Sequence, residues 1–84
     1  MSALNVENRH PAVKQIARWL DWEQMPAGKT RNIAMSCHRL AREVLEDLPD
    51  DPELVAGLRK LVEARDCFVR AAIADAEHGA TTGT

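Results

Sequence analysis

The stretch Asp51–Glu77 constrains the fold of this chain more than any other part of the sequence. It opens on Asp51 followed by Pro and Glu, the residues preferred for an N-cap, a first helical position and a first turn. No proline follows, and Gly57 is the only glycine before Gly79. A helix of this length spans about 40 Å. The sequence therefore predicts a helix that is too long for a globule of 84 residues to enclose.

One charged residue interrupts the apolar stripe of this predicted helix. At 100° per residue the stripe consists of Leu54, Leu58, Leu61, Phe68, Val69 and Ala72. Arg65 falls in its middle, where an aliphatic residue is expected. Burying an unpaired guanidinium costs several kcal/mol, so Arg65 either reaches solvent or meets an anion, which could be a protein carboxylate or a ligand phosphate. We therefore treat Arg65 as a candidate ligand-binding residue, with a structural role as the alternative.

Turn and capping residues predict two further helices. Pro11 opens a short helix that runs to about Gln24, shortly before Pro26 breaks it. Thr30 fits the N-cap of a second main helix, which runs to about Asp47. The segment Leu-Pro-Asp-Asp-Pro that follows is so short that it predicts an antiparallel hairpin of the two long helices.

The predicted fold class is therefore all-α, with a short N-terminal helix followed by a long antiparallel helical hairpin. Residues 1–10 are expected to form a flexible arm, 11–78 the helical-hairpin domain and 79–84 a disordered tail. The second helix carries a narrow apolar seam, typical of packing at a small crossing angle: Ile33, Cys37, Leu40, Val44 and Leu48. A single domain this small buries only about 60% of its unfolded surface. Copies of the chain are therefore expected to associate into a symmetric homo-oligomer.

Basic and acidic residues are segregated along the chain. No acid lies between Lys29 and Arg42, whereas acids cluster around the predicted hairpin turn. Four residues opposite the seam form a candidate anion-binding set: Arg31, His38, Arg39 and Arg42. The formal net charge of −2 gives no general attraction to duplex nucleic acid or an anionic membrane, so a small anionic ligand is the better match. The alternative is an ordinary solvated helix face.

Trp22 is the third candidate feature. It points away from the apolar face of the predicted first helix, where its indole offers a platform for stacking on a base. The alternative is that it packs on a neighbouring chain.

Catalytic and metal-binding patterns are missing from the sequence. The three histidines are dispersed, and there is no Gly-rich phosphate loop, nucleophile elbow or HExxH motif. Cys37 and Cys67 are too few for a disulfide framework or a zinc site. We therefore expect a protein that is not an enzyme and has no catalytic residues, cofactor or metal. No signal peptide, membrane-spanning run or lipidation motif is found, which predicts a cytoplasmic location.

The segment Leu58–Ile73, LRKLVEARDCFVRAAI, resembles the C-terminal helix of a family of small phage proteins. These are the helical-hairpin sponges that sequester the cyclic nucleotide signals of bacterial immunity, the anti-CBASS and anti-Thoeris group. The similar positions are Lys60-Leu61, Glu63-Ala64-Arg65 and Ala71-Ala72-Ile73. Trp22-Glu23-Gln24-Met25 resembles the entry to the preceding helix, and Met35–Arg39 resembles a stretch that ends in lysine.

The resemblance implies an all-helical protomer in a symmetric homo-oligomer, most simply a hexamer, that binds cyclic oligonucleotides between protomers without cleaving them. By position, Trp22 would stack on a base, Arg39 would contact phosphate and Arg65 would lie near an intersubunit surface. The resemblance also implies that the protein acts in the cytoplasm of the host cell. Two other functional hypotheses remain. One is a hairpin that docks on a phage or host protein, and the other is a weak DNA-binding bundle supported only by the basic residues.

Overall fold

A computed structural model describes residues 4–82 of the chain, the last five by main chain only. Within this range the chain forms three α-helices and no strand, which confirms the all-α prediction. The helices are α1 (Pro11–Ala17), α2 (Lys29–Asp47) and α3 (Pro52–Thr82), and a 3₁₀ turn, Arg18–Leu20, follows α1 directly. None of the described helices is long and apolar enough to cross a membrane.

Each helix begins at residues whose chemistry suits a helix start. Nδ1 of His10 accepts a hydrogen bond from the N–H of Ala12 at 3.0 Å, with Pro11 at the first helical position. The carboxylate of Asp51 accepts from the N–H of Glu53 at 2.7 Å, as predicted for the start of α3. Gly28 precedes α2 with φ of 112°, a left-handed conformation that only glycine adopts without strain. The predicted N-cap at Thr30 is therefore two residues too late.

The first helix is shorter than the sequence predicts. It was expected to reach about Gln24, but α1 ends at Ala17 and the chain is extended by Asp21. Two main-chain carbonyls of the 3₁₀ turn bind side chains from other helices: that of Leu20 contacts Nδ1 of His38, and that of Trp19 accepts from Arg65. Because these carbonyls have tertiary partners, the chain leaves the helical path without a proline or glycine.

The packing face of α2 differs from the predicted seam. The buried residues are Ala34, Cys37, His38, Ala41 and Leu45. Of the predicted seam only Cys37 is buried, whereas Leu40 and Leu48 are 48% and 49% exposed. The small alanines allow the neighbouring elements to approach closely. The buried face of α2 is therefore rotated by about 100°, one residue, from the face that carries its largest apolar side chains.

The core lies where α1 and α2 meet the first half of α3. Its buried cluster consists of Val13, Ile16, Leu20, Ala41, Leu45, Leu54 and Leu58. Lys29, the first residue of α2, forms an ion pair with Asp75 of α3. The last turn of α2 lies beside the start of α3, joined by the connection 48–51.

Residues 4–10 of the N-terminal arm contact this core. Leu4 and Val6 pack against the buried cluster. The guanidinium of Arg9 donates to the carboxylate of Asp50 at 2.6 Å and to the carbonyls of Leu45 and Leu48 at 2.7 and 2.8 Å. These carbonyls belong to the end of α2, where an arginine satisfies otherwise unpaired acceptors. Met1–Ala3, the rest of the predicted flexible arm, lie outside the described residues.

The last helix is longer than predicted. An end near Glu77 and a disordered tail from Gly79 were expected, yet α3 continues to Thr82. Gly79 lies inside the helix and does not end it, at the usual cost of about 1 kcal/mol relative to alanine. Gly83 and Thr84, the end of the predicted tail, lie outside the described residues.

Candidate ligand-binding site

The loop before α2 and one face of α2 enclose a cavity of about 330 Å³, here called the Trp22 cavity. Its lining residues are Trp22, Asn32, Met35, Ser36, His38, Arg39 and Arg42. Helical periodicity explains the set, since residues three, four and seven positions apart share a face. Four of the six residues predicted from the sequence, Trp22, His38, Arg39 and Arg42, therefore lie around one concave surface.

Trp22 lies in the loop after the 3₁₀ turn, and not on the first helix as predicted. Its side chain is half-buried, and the guanidinium carbon of Arg31 lies 6.0 Å from the centre of its ring. This is the outer limit of a cation–π contact. The indole is thus held on one side by an arginine while it contributes to the wall of the cavity.

Arg31 supports the loop and does not line the Trp22 cavity. Its Nε donates to the carbonyl of Met25 at 3.0 Å and its Nη2 to that of Glu23 at 3.4 Å. Two of its donors are therefore committed to the main chain around Trp22. The sequence placed Arg31 with the anion-binding residues, but its observed contacts assign it to holding the indole in place.

His38 was predicted to lie opposite the apolar seam with the arginines, and the structure corrects this. The residue is only 6% exposed, and its Nδ1 lies 2.9 Å from the carbonyl oxygen of Leu20. A carbonyl oxygen only accepts, so Nδ1 is the protonated nitrogen that donates. The imidazole thus joins α2 to the 3₁₀ turn, and an edge of it forms part of the cavity wall.

Arg39 and Arg42 are the cations available to a ligand. Both are exposed, and neither forms a hydrogen bond or ion pair with another residue in the part of the chain whose side chains are described. A guanidinium presents planar, forked donors that match phosphate oxygens. Two such groups beside a half-buried indole give the cavity donors for an anion next to an aromatic surface.

Arg65 lies apart from this cavity. It is 8% exposed, and its Nη1 donates to the carbonyls of Trp19 and, at 3.4 Å, Asp21. Its Nη2 donates to the carboxylate of Asp66 at 3.0 Å, while its Nε is buried without a partner among the described residues. A protein carboxylate and two main-chain carbonyls are thus the partners of this buried cation, and the structure does not bring it together with Arg39 and Arg42.

Sequence reasoning missed a second polar cavity, of about 400 Å³, which lies between the N-terminal arm and α2. We call it the arm cavity; its lining residues are Leu4, Asn5, Asn8, Arg9, Arg42, Leu45 and Glu46. Arg42 lines both this cavity and the Trp22 cavity. The first ten residues show no periodicity that would indicate contact with a helix, so no signal in the sequence pointed to this cavity.

A long apolar groove runs between α2 and α3 on another side of the protein. It consists of two cavities, of about 640 and 690 Å³, which share Leu40 and Leu61. All five residues of the predicted seam line this groove: Ile33, Cys37, Leu40, Val44 and Leu48. Phe68, which is 55% exposed, lines it as well. The seam is therefore mainly a surface of the protomer and not its core.

The two cysteines lie in different surroundings. Burial raises the pKa of the Cys37 thiol, and the nearby charge of Arg65 opposes this effect. Cys67 is exposed, and its sulfur accepts a hydrogen bond from Arg70 at 3.4 Å. Among the residues with described side chains, no three His, Cys, Asp or Glu lie close enough together to hold a metal ion.

Comparison of the chain with protein-family models, with curated proteins and with solved structures finds no match. The chemistry of the Trp22 cavity consequently rests on the residues that line it. An indole, two free guanidiniums and the small polar side chains of Asn32 and Ser36 are suited to hold an anion that carries an aromatic ring.

Proposed function

We propose that this protein is a non-enzymatic sponge that binds and sequesters cyclic oligonucleotide immune signals, and so blocks bacterial anti-phage defence. The ligands are cyclic di- or trinucleotides or related cyclic nucleotides. The observation that carries this proposal is the convergence of Trp22, Arg39 and Arg42 on one cavity. Stacking on the indole binds a base, and the guanidiniums bind the phosphates of the ring.

The size and charge of the cavity support a compact ligand over a duplex. About 330 Å³ is at the lower end of the range for small-molecule pockets. Acidic residues lie at the end of α2, and the formal net charge of the protein is −2. A long polyanion would meet these acids, whereas a cyclic nucleotide needs only the local cations.

The side chains around the cavity support binding without cleavage. Phosphodiester cleavage needs a general base or a metal ion to activate a nucleophile. No carboxylate lines the Trp22 cavity, and His38, whose Nδ1 donates to the carbonyl of Leu20, is only 6% exposed. We infer that the protein acts by holding the signal and thereby lowering its free concentration in the host cytoplasm.

We further infer that α2 and α3 form an antiparallel hairpin and that copies of it assemble into a symmetric homo-oligomer, with a hexamer as the favoured size. The groove exposes apolar side chains that a single chain leaves in water, and Leu40 and Leu61 make it continuous. A two-fold contact along it would place the basic start of α2, with Lys29, beside the acidic end of the same helix in a second copy. Hydrophobic burial and opposite charges would then act together.

Calorimetry of the purified protein against cyclic dinucleotides, cyclic trinucleotides and cyclic ADP-ribose isomers tests the function. We expect micromolar or tighter binding to at least one ligand, and chromatography of the incubated mixture should recover that ligand intact. Arg59→Glu is the matched charge control, because Arg59 is exposed on α3 and does not line the Trp22 cavity. Failure of every ligand to bind at micromolar concentration would overturn the proposal.

The groove favours a second candidate function, an interaction module for a phage or host protein. An apolar groove between two helices is the kind of surface into which an amphipathic partner helix packs. A pull-down that recovers one stoichiometric protein partner would support this function, provided that the same protein binds no cyclic nucleotide. Native mass spectrometry distinguishes a second copy of the chain from a different protein on the groove.

A further inference from the structure

The arm cavity has an arrangement of polar groups that the Trp22 cavity lacks. The floor of the arm cavity is formed by apolar side chains, since Leu45 is buried and Leu4 is partly buried. Around them stand two amides, Asn5 and Asn8, and the carboxylate of Glu46. None of these three forms a hydrogen bond with another residue among those whose side chains are described.

The wall of this cavity is held in place by Arg9. Its guanidinium donates to Asp50, Leu45 and Leu48 at 2.6 to 2.8 Å, so the segment that carries Asn5 and Asn8 is fixed against the end of α2. The N–H of Arg9 also donates to the carbonyl of Val6 at 3.1 Å, which closes a turn. The polar groups are therefore presented by an anchored segment, which lowers the entropy cost of binding.

The free groups match one nucleobase better than the others. A carboxylate only accepts hydrogen bonds, so Glu46 pairs with N–H or O–H donors of a ligand, and on a nucleobase these are N–H groups. The Watson–Crick edge of guanine presents two adjacent donors, N1–H and N2–H, whereas adenine presents one amino group there. A side-chain amide of Asn5 or Asn8 can donate to the guanine O6, and the apolar floor of the cavity can contact the face of the guanine ring.

Arg42 connects the arm cavity to the Trp22 cavity because it lines both. In a cyclic dinucleotide the two bases are separated by the phosphodiester ring. A base in each cavity would leave a phosphate of that ring between them, within the reach of a residue such as Arg42 that lines both cavities. The two cavities and Arg42 could thus bind a cyclic dinucleotide with one base in each cavity and a phosphate between them on Arg42.

We propose that the arm cavity is a guanine-recognition subsite, in which Glu46 binds N1–H and N2–H of one base while Trp22 stacks on the other. This inference rests on the proposed function and adds the identity of one base. It assigns specificity to Glu46 and the arm amides, and general affinity to Trp22, Arg39 and Arg42.

Cyclic di-GMP and cyclic di-IMP are the probes, because hypoxanthine differs from guanine only by loss of the N2 amino group. Calorimetry on the full chain should show that cyclic di-GMP binds about tenfold more tightly or better, because hypoxanthine lacks the N2–H donor and keeps only one of the two hydrogen bonds to Glu46. Glu46→Gln should reduce this preference to about twofold. The matched control is Glu43→Gln, an equal change at an exposed position of α2 that lines neither cavity, and it should keep the preference.

Equal affinity for the two probes would overturn the guanine subsite, as would a preference that Glu46→Gln leaves intact. If either result comes with binding that still depends on Trp22 and Arg39, the sponge proposal stands and only the subsite fails. If neither probe binds while a cyclic nucleotide without guanine does, guanine recognition is excluded. If no cyclic nucleotide binds at all, the proposed function fails together with the subsite.

Discussion

Arg65 of α3 donates a hydrogen bond to the main-chain carbonyl oxygen of Trp19, 46 positions earlier in the chain. The same amino group reaches the carbonyl of Asp21 at 3.4 Å. These contacts hold the end of the 3₁₀ turn against α3 and fix the start of the loop that carries Trp22. A residue that interrupts the apolar stripe of the longest helix thus positions one wall of the Trp22 cavity from outside it.

Arg65→Leu is expected to destabilise the protein, because it leaves the carbonyl of Trp19 without its donor. The free energy of unfolding should fall by about 1–3 kcal/mol, the cost of a buried acceptor left unpaired. Urea denaturation followed by circular dichroism measures the change, with Arg59→Leu on an exposed part of α3 as the control. A variant as stable as the parent would show that apolar packing replaces the contact fully, as happens for some buried ionic groups.

Acid is expected to weaken the attachment of the arm through Asp50. Its pKa is held below the ordinary value of 3.8, first by the hydrogen bond from Arg9 and then by that from the N–H of His10. A folded-state pKa below the unfolded one means that the ionised carboxylate stabilises the fold. This contribution is complete above the unfolded-state pKa and is lost as the pH falls through the folded-state pKa.

Thermal unfolding between about pH 6 and pH 2 should therefore show a loss of stability that begins below about pH 4. Asp50→Asn should be less stable at neutral pH and should lose less stability on acidification than the parent chain. Asp47→Asn, at an exposed position nearby, should keep the parent's acid response. Identical acid responses of the parent and Asp50→Asn would contradict this assignment. Asp75, whose pKa Lys29 lowers, acts in the same direction.

Arg39→Glu is expected to abolish binding of the cyclic nucleotide and to leave the assembly unchanged. The substitution replaces a free cation of the Trp22 cavity with an anion that repels phosphate. Calorimetry measures the loss, and native mass spectrometry confirms the subunit count. Retained affinity would mean that the phosphate is bound elsewhere, and Arg59→Glu shows the effect of an equal charge change outside the cavity.

Trp22→Ala is expected to weaken binding by about 1–3 kcal/mol, the range found for loss of base stacking on an aromatic side chain. Trp22→Phe should lose less, because it keeps an aromatic face. If both variants lost the same affinity, the indole would act through the loop contacts of Arg31 and not by stacking.

Leu40→Asp is expected to disrupt the oligomer and to leave the protomer folded. Leu40 is 48% exposed and lines both halves of the apolar groove, so a carboxylate there would be buried in any contact between copies. Native mass spectrometry should record a lower subunit count than for the parent chain, while Arg59→Asp should keep the parent's count. An unchanged assembly in Leu40→Asp would place the contact between copies on another face.

The sequence predicted the fold best where it contains breakers. Pro26, Gly28 and the prolines on either side of Asp50 interrupt the main chain, so the starts and ends of α2 and the start of α3 were predicted to within about two residues. The end of α1 was missed because tertiary hydrogen bonds to the carbonyls of Trp19 and Leu20 decide it. Such bonds join residues far apart in the sequence and leave no local signal.

The candidate ligand-binding site was also predicted only in part, because some of its features depend on contacts between residues far apart in the sequence. Arg39, Arg42 and Trp22 were found as a basic and aromatic combination, which depends only on side-chain type and helical spacing. The burial of His38 was missed because alanines define the packing face of α2, and their small apolar surface hardly contributes to a hydrophobic pattern. The arm cavity depends on the side-chain contacts of Arg9 with the end of α2, which no periodicity reveals.

The two tryptophans occupy different surroundings in a protein without tyrosine. Trp19 is 59% exposed, with the guanidinium of Arg18 5.5 Å from its ring centre, whereas Trp22 is half-buried at the cavity. Replacement of Trp19 by phenylalanine would leave a single indole fluorophore, located in the wall of the Trp22 cavity. Its emission would respond to changes at that wall, so the folded protein carries its own optical probe of whether the cavity is filled.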